Sequence, residues 1–212
     1  MMNKKYLTEF FGTAALLSVI TGSGLMGQAL SSGNDAVTLL GNSIATGAGL
    51  YVLIMILGPI SGAHLNPLVS VMACTQKQLK RKDLVPYIAS QISGAILGVW
   101  MTHLMFNLPI IQTSTKIRTG LGIWVSEVIA TLILLTVIYL GLKYAKKNIA
   151  MIVALTVTAG YWFTSSTFFC NPAVTFARSL TDTFVGIAPQ NILGFVIPQV
   201  IALILVLQTI KK

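Results

Sequence analysis

The chain has 212 residues, of which 55% are hydrophobic and only 9% are charged. Soluble domains carry roughly 25% charged residues, so this composition excludes a protein whose whole surface faces water. A formal net charge of +9 could indicate nucleic-acid binding, but the basic residues fall between long uncharged stretches, which indicates a membrane protein instead.

Six nearly uncharged windows follow one another along the chain, and only Glu127 interrupts one of them. Each window is longer than the roughly 20 residues that cross a hydrocarbon core. We therefore predict six transmembrane helices, the first of them a retained span rather than a cleaved signal peptide. The windows are 10–30, 36–65, 84–115, 119–142, 148–177 and 183–210.

The basic residues are distributed unequally between the two sides of the membrane that six spans define. Three of them, Lys116, Arg118 and Arg178, lie on one side, and eleven lie on the other. By the positive-inside rule the richer side is the cytoplasm, so both termini are predicted to be cytoplasmic. The eleven residues are Lys4, Lys5, Lys77, Lys80, Arg81, Lys82, Lys143, Lys146, Lys147, Lys211 and Lys212.

The two halves of the chain repeat each other. A similar apolar segment begins each half and carries a glutamate near its start, Glu9 in one and Glu127 in the other. Since each half contains three spans, an odd number, the halves must lie in opposite orientations across the membrane. The sequence therefore predicts a single domain over 1–212, built from inverted repeats of about 1–115 and 119–212.

An Asn-Pro dipeptide occurs once in each half, at Asn66-Pro67 and at Asn171-Pro172, after a long apolar run. The second and fifth windows are longer than one span requires, so the chain can return into the membrane before each dipeptide. Each asparagine then begins a short helix that runs back out. The predicted fold class is an all-α membrane protein with six transmembrane helices plus two re-entrant half-helices in an inverted 3+3 repeat.

These motifs resemble the major intrinsic protein family, the aquaporins and aquaglyceroporins, over nearly all of the chain. The resemblance implies a passive channel for small uncharged solutes, assembled as a homotetramer in the cell inner (plasma) membrane. It implies no cofactor and no resident metal, and no nucleic-acid partner. The residues that carry it are Glu9, Glu127, 61–67, Tyr87, Gln91, Gly94 and 171–173.

In such a channel the N-termini of the two half-helices meet at the bilayer midplane. Each N-terminus carries roughly half a positive charge, so cations and protons meet a barrier there while neutral hydroxylated solutes pass. The resemblance implies that the amides of Asn66 and Asn171 donate to the solute, that Glu9 and Glu127 anchor the re-entrant loops, and that His64 lines the cytoplasmic vestibule. The two pore motifs are Asn66, Pro67 and Leu68, and Asn171, Pro172 and Ala173.

The chain departs from the family pattern at two positions. Val174 stands where an arginine usually follows the second motif, and Arg178 lies one helical turn farther out, about 6 Å away by helix rise. There Arg178 is expected to line the vestibule or to pair with Asp182. Leu68 stands where alanine is usual, which is expected to narrow or shift the cytoplasmic half of the pore.

Counting back from each motif as the family does predicts the remaining positions of the constriction. The count places Ala159 in the fifth span if no gap is needed, or Tyr161 or Trp162 if that span ends differently. The predicted filter is wide and weakly polar, unlike the tight ring of a water channel. The second motif resembles that of a bacterial branch from arsenic resistance operons, so arsenous acid and organoarsenicals join water and glycerol-like polyols as candidate solutes. The filter residues are Thr46, Ala159, Phe168 and Val174.

Other function classes remain open from the residues alone. Glu9, Glu127 and His64 could serve an ion- or proton-coupled secondary transporter. Leu68 and Phe168 could close both ends of a pore and leave a membrane scaffold. An enzyme is disfavoured, because the sequence shows no nucleophile–base set and no cluster of metal ligands.

Overall fold

The computed structural model describes residues 4–210, so Lys211 and Lys212, which add to the predicted cytoplasmic charge, lie outside the described residues. Within this range the chain forms eight α-helices, with short 3₁₀ turns at 146–148 and 189–191 and no β-strand. The helices are α1 (Lys4–Leu30), α2 (Asp35–Ser61), α3 (Pro67–Thr75), α4 (Arg81–Met105), α5 (Leu121–Tyr144), α6 (Ile149–Phe163), α7 (Pro172–Arg178) and α8 (Ile192–Ile210).

Five of these helices, α1, α2, α4, α5 and α8, are long and apolar enough to cross a membrane. The sixth, α6, has 15 residues and rises about 22 Å, with a 3₁₀ turn directly before it. It packs against α2 and α5 and so completes a bundle of six. With nine and seven residues, α3 and α7 are too short to span. The structure thus confirms the predicted fold class of six transmembrane helices and two half-helices.

Each half-helix begins where an asparagine caps it. The backbone of Asn66 is extended, and its side-chain oxygen accepts a hydrogen bond from the Leu68 amide at 2.9 Å. Pro67 then takes the first helical position, where its missing N–H is no loss. The same arrangement recurs in the second half, where the Asn171 side chain accepts from the Ala173 amide at 3.0 Å. The sequence therefore starts both half-helices at the same kind of residue pair.

The packing of the helices follows the repeat. In the first half α1 contacts α2 and α4, and in the second half α5 contacts α6 and α8. Each half-helix crosses to the other half, because α3 packs against α8 and α7 packs against α4. This exchange brings the two capping asparagines together inside the bundle.

Two glycines allow α4 to approach α1 closely. A Cβ atom added at Gly94 would collide with the backbone carbonyl of Phe10, and one added at Gly98 would collide with that of Ala14. Small residues at such crossings are the usual means of close packing between membrane helices. The close approach places polar side chains of α1 and α4 within hydrogen-bonding distance of each other, as the site requires.

Candidate functional site

One cavity of about 770 Å³ extends through the bundle, from the N-terminal end of α1 to the C-terminal end of α7. Lys5 and Lys146 line it at one end, and Arg178 lines it at the other. Between these ends the wall includes both re-entrant loops and the start of both half-helices. A cavity that passes both asparagine caps is the natural candidate for a solute path.

The two capping asparagines face the cavity and hold each other's loops. The side-chain nitrogen of Asn66 donates to the Cys170 carbonyl at 2.8 Å, and that of Asn171 donates to the Leu65 carbonyl at 2.8 Å. An asparagine amide has two N–H groups. One is used in this reciprocal contact, and the other remains available to a solute in the cavity, which both residues line.

The first re-entrant loop is fastened to α1 by a buried carboxylate. Glu9 is fully buried, and one of its oxygens accepts from the Ser61 hydroxyl at 2.6 Å and the His64 amide at 3.0 Å. The other oxygen accepts from the Leu65 amide at 2.7 Å and from the Gln91 side chain at 2.8 Å. Four donors satisfy a charge that would otherwise be costly inside a membrane.

The second loop is fastened in the same way to α5. Glu127 is fully buried and accepts from the amides of Phe169, at 3.1 Å, and Cys170, at 3.0 Å. Gln199 on α8 adds a third donor at 2.7 Å and also lies 3.1 Å from the Thr175 hydroxyl. Neither Gln199 nor Thr175 was singled out by the sequence analysis. The internal repeat could have indicated both, because Gln91 and Ser70 occupy the equivalent positions in the first half and form the same contact.

Three of the four residues predicted to form the constriction line the cavity, and the fourth does not. Thr46, Phe168 and Val174 line the cavity. Ala159 does not, and its side chain is exposed on the surface of the helix bundle. Ala159 is therefore wrong as a filter position, and Tyr161 lines the cavity instead, with its hydroxyl 3.2 Å from that of Thr46. The reason is helical periodicity, because two residues along a helix turn a side chain to nearly the opposite face.

Leu68 is also placed differently from the expectation. It does not line the cavity but packs against Leu135, Leu203 and Val206 of α5 and α8. Leu68, which was expected to narrow or shift the cytoplasmic half of the pore, therefore does not act as a lining residue, since the next residue, Val69, faces the cavity instead. The third residue of each motif is buried between helices, and Ala173 is likewise fully buried and outside the cavity wall.

His64, on the first re-entrant loop, and Arg178, at the end of α7, are the two other predicted pore residues that line the cavity. His64 lines the cavity, and its Nδ1 lies 3.0 Å from the Ser70 hydroxyl. Arg178 also lines the cavity, donates from Nε to the Val185 carbonyl, and does not use Asp182. Asp182 instead accepts from the amide of Thr115 at 2.8 Å. Arg178 was expected either to line the vestibule or to pair with Asp182, and in the described structure it lines the cavity and does not pair with Asp182.

Comparisons with known proteins agree with this geometry. The family model described as "MIP: Major intrinsic protein" matches residues 1–165. The chain is 43% identical to "Aquaglyceroporin AqpS" of Rhizobium meliloti (strain 1021) over 210 residues, which cover 99% of this chain and 90% of that protein. It is 29% identical to "Aquaporin AqpM" of Methanothermobacter marburgensis over 210 residues, 85% of this chain and 84% of that protein.

A solved structure shares the fold. The X-ray structure of the aquaglyceroporin from Plasmodium falciparum superposes with a TM-score of 0.71 at 21% identity, covering 95% of this chain and 92% of that one. Helix arrangement, asparagine caps and sequence similarity thus lead to one conclusion: the chain belongs to the major intrinsic protein family.

Proposed function

We propose that this protein is a passive channel for small uncharged solutes, of the aquaglyceroporin kind. The observation that carries the proposal is the cavity that passes between Asn66 and Asn171, whose side chains each keep one amide N–H for a solute. Paired donors at one level of an otherwise largely apolar wall suit solutes that carry oxygen atoms. The name of the relative from Rhizobium meliloti, an aquaglyceroporin, supports the same class.

The half-helices supply a barrier to ions in this proposal. α3 and α7 both begin at the asparagines, so the positive ends of both helix dipoles point at the same region of the cavity. A cation or a proton there meets a repulsive field, while a neutral molecule exchanges its water hydrogen bonds for those of the asparagine amides. The channel is therefore expected to exclude ions and protons.

A coupled transporter is less well supported than a channel. Such a transporter needs a carboxylate that can exchange protons with the solute path. Glu9 and Glu127 are both fully buried, hold the backbone amides of the loops, and do not line the cavity. Their contacts favour a role as loop anchors.

The filter supports solutes larger than water. Thr46, Tyr161, Phe168 and Val174 supply two hydroxyl groups and two apolar side chains, with no charged group among them. A branched aliphatic side chain at Val174 leaves more room than the arginine usual in the family. Glycerol-like polyols are therefore the leading candidates, with arsenous acid and organoarsenicals as further ones.

The assembly and the membrane location are part of the proposal. Several large apolar side chains on α2 and α8 are exposed, as expected where helices face lipid or another subunit. We expect a homotetramer in the inner (plasma) membrane, with a single domain over 1–212 and both termini in the cytoplasm. The excess of lysine and arginine at the termini and in the second and fourth loops supports this orientation.

A flux panel on purified protein in liposomes tests the proposal, with the wild type compared against Val174→Arg. The wild type is expected to pass glycerol, urea and arsenous acid at rates that rise linearly with the solute gradient. Val174→Arg is expected to abolish the flux of these solutes and to leave water flux largely intact. Rapid water flux without any glycerol, urea or arsenous acid flux in the wild type would contradict the wide filter, and saturable flux driven by a pH gradient would favour a transporter.

A further inference from the structure

Three cations converge on one short stretch of backbone at the outer end of the cavity. Lys116 donates from Nζ to the Phe184 carbonyl at 2.9 Å. Arg118 donates to the same carbonyl at 3.1 Å and to the Gly186 carbonyl at 2.8 Å. The segment after α7 is thus tied to the preceding outer loop by positive side chains.

Arg178 approaches the same segment from inside the bundle. It donates from Nε to the Val185 carbonyl, and its guanidinium carbon lies 3.6 Å from the centre of the Phe169 ring. The guanidinium carbon of Arg118 lies 5.7 Å from that ring. Phe169 is itself buried, so its π-face can hold the Arg178 guanidinium in a fixed position without any carboxylate.

Among the described residues 4–210, no carboxylate forms a direct ion pair with Lys116, Arg118 or Arg178. Between residues 4 and 210 the guanidinium groups of Arg118 and Arg178 donate only to backbone carbonyl oxygens, and both lie against the Phe169 ring. Although Asp35 acts in the opposite sense, burial and the like charges of Arg118 and Arg178 lower the pKa of Lys116 from its usual value. That repulsion indicates a concentrated positive potential at the outer mouth.

Arg178 is the member of the cluster that reaches the solute path. It is only 2% exposed and yet lines the cavity. In the described part of the chain, Nε is the only guanidinium nitrogen of Arg178 that donates a hydrogen bond to the protein. The two terminal nitrogens are not among the buried atoms that lack a partner, so they are accessible from the cavity. A buried guanidinium with free donors on the cavity side acts on whatever enters from outside.

We propose that Arg178, held by the Phe169 ring and reinforced by Arg118, excludes cations from the outer end of the pore. This inference rests on the proposed channel function and concerns the same cavity. A filter with valine at position 174 is wide enough that size alone does not separate a neutral solute from a small cation of the same shape. Placing the charge one turn farther out preserves rejection by charge while leaving the filter open to bulky neutral molecules.

Urea and guanidinium form a matched pair of probes, because both are small planar molecules with three heavy-atom substituents and only guanidinium is charged. We suggest measuring the flux of both in the same liposomes and expressing the result as the ratio of guanidinium to urea flux. Arg178→Gln removes the charge and keeps hydrogen-bond donors, whereas Arg178→Lys keeps the charge. Arg81→Gln, at an exposed cytoplasmic arginine outside the cavity wall, is the matched control.

The wild type, Arg81→Gln and Arg178→Lys are expected to show the same low ratio. Arg178→Gln is expected to raise the ratio about tenfold or more, the effect of about 1.4 kcal/mol of lost repulsion. An unchanged ratio in Arg178→Gln would overturn the proposal. A ratio in Arg178→Lys as high as in Arg178→Gln would also overturn it, because the role would then be that of a structural clamp.

Three further outcomes are also informative. If Arg178→Gln does not fold, Arg118→Gln replaces it, and a higher ratio supports the proposal while an unchanged ratio contradicts it. A wild type that conducts neither urea nor glycerol refutes the proposed channel function itself. A wild type that conducts urea and guanidinium equally leaves the conduction of neutral solutes intact but refutes the exclusion of cations, both by Arg178 and by the half-helices.

Discussion

At the scale of single residues, the two halves use the same chemistry at matching positions. Gln91 and Gln199 each donate to the buried glutamate of their own half, and each also contacts a hydroxyl group on a half-helix. A glutamine that lost its place would leave a buried carboxylate short of a donor, which costs about 1–3 kcal/mol. The loops that carry the asparagines are therefore held by side chains that never touch the solute path.

The symmetry of the two halves ends at the cavity wall, where one matched pair of lining residues differs greatly in size and charge. Val69 and Val174 are equivalent and both line the cavity. One turn farther along each half-helix, Ala73 of α3 lines the cavity in the first half, whereas Arg178 of α7 does so in the second. Selectivity among solutes is thus expected to reside in the outer half of the proposed channel.

Replacing Tyr161 tests which residue of α6 belongs to the filter. Tyr161→Ala removes a ring from the cavity wall and the hydroxyl contact to Thr46, so the flux of a bulkier polyol such as erythritol should rise relative to glycerol, on the order of a few-fold or more. The ratio of the two fluxes in liposomes is the measurement.

The control for this prediction is Ala159→Leu, which enlarges a side chain on the exposed face of the same helix. That variant is expected to keep the wild-type ratio. A changed ratio in Ala159→Leu with an unchanged one in Tyr161→Ala would mean that the fifth span has a different register from the one described above.

At the scale of helices, α1 and α4 form the tightest crossing that the site depends on. The crossing brings Gln91 within 2.8 Å of Glu9, which in turn holds the first re-entrant loop. Because Gly94 lies against the backbone of α1, any added side chain there must push the two helices apart. The position of the first re-entrant loop therefore depends on how closely α1 and α4 pack.

Gly94→Ala is expected to destabilise the protein by about 1–3 kcal/mol, the usual cost of overpacking. The added methyl group meets a backbone carbonyl, which cannot move aside as a flexible side chain can. Thermal unfolding in detergent, followed by circular dichroism, measures the effect, and glycerol flux should fall in parallel as the first loop loses its anchor.

Gly41→Ala on α2 is the matched control, since an added Cβ there meets nothing within 4 Å. It should unfold at the wild-type temperature or slightly above, because alanine favours a helix over glycine. Equal unfolding temperatures for both variants would contradict the close crossing.

At the scale of the whole molecule, the pattern of charges and motifs predicted most of the architecture. The spans, the half-helices and the capping role of the asparagines follow from local rules, namely uncharged length and Asn-Pro at a helix start. The residues that line the cavity were harder to predict. Counting from the motifs gives a position in the chain but does not show which face of the helix carries that side chain. Ala159 is wrong for that reason. Leu68 was expected to affect the pore because it replaces the usual alanine, and it packs against α5 and α8 instead.

Residues that act through tertiary contacts were missed for a different reason. Gln199 and Phe169 lie in apolar stretches, and nothing in their immediate neighbours shows that one bonds Glu127 while the other carries Arg178. Only the fold brings these pairs together. The inverted repeat narrows the search, because each such residue in the second half has a counterpart at the same place in the first.

The orientation of the whole molecule is tested by labelling matched cysteines from outside the cell. In a background with Cys74 and Cys170 replaced by alanine, Thr113→Cys and Thr75→Cys each place one thiol at an exposed position without changing any charge. Thr113 follows α4 on the side with few basic residues, and Thr75 ends α3 next to the lysine-rich loop. With the termini in the cytoplasm, a membrane-impermeant maleimide should label intact cells at position 113 but not at position 75. Both positions should react once the cells are permeabilised, and labelling of intact cells at position 75 alone would mean that the positive-inside rule fails for this protein.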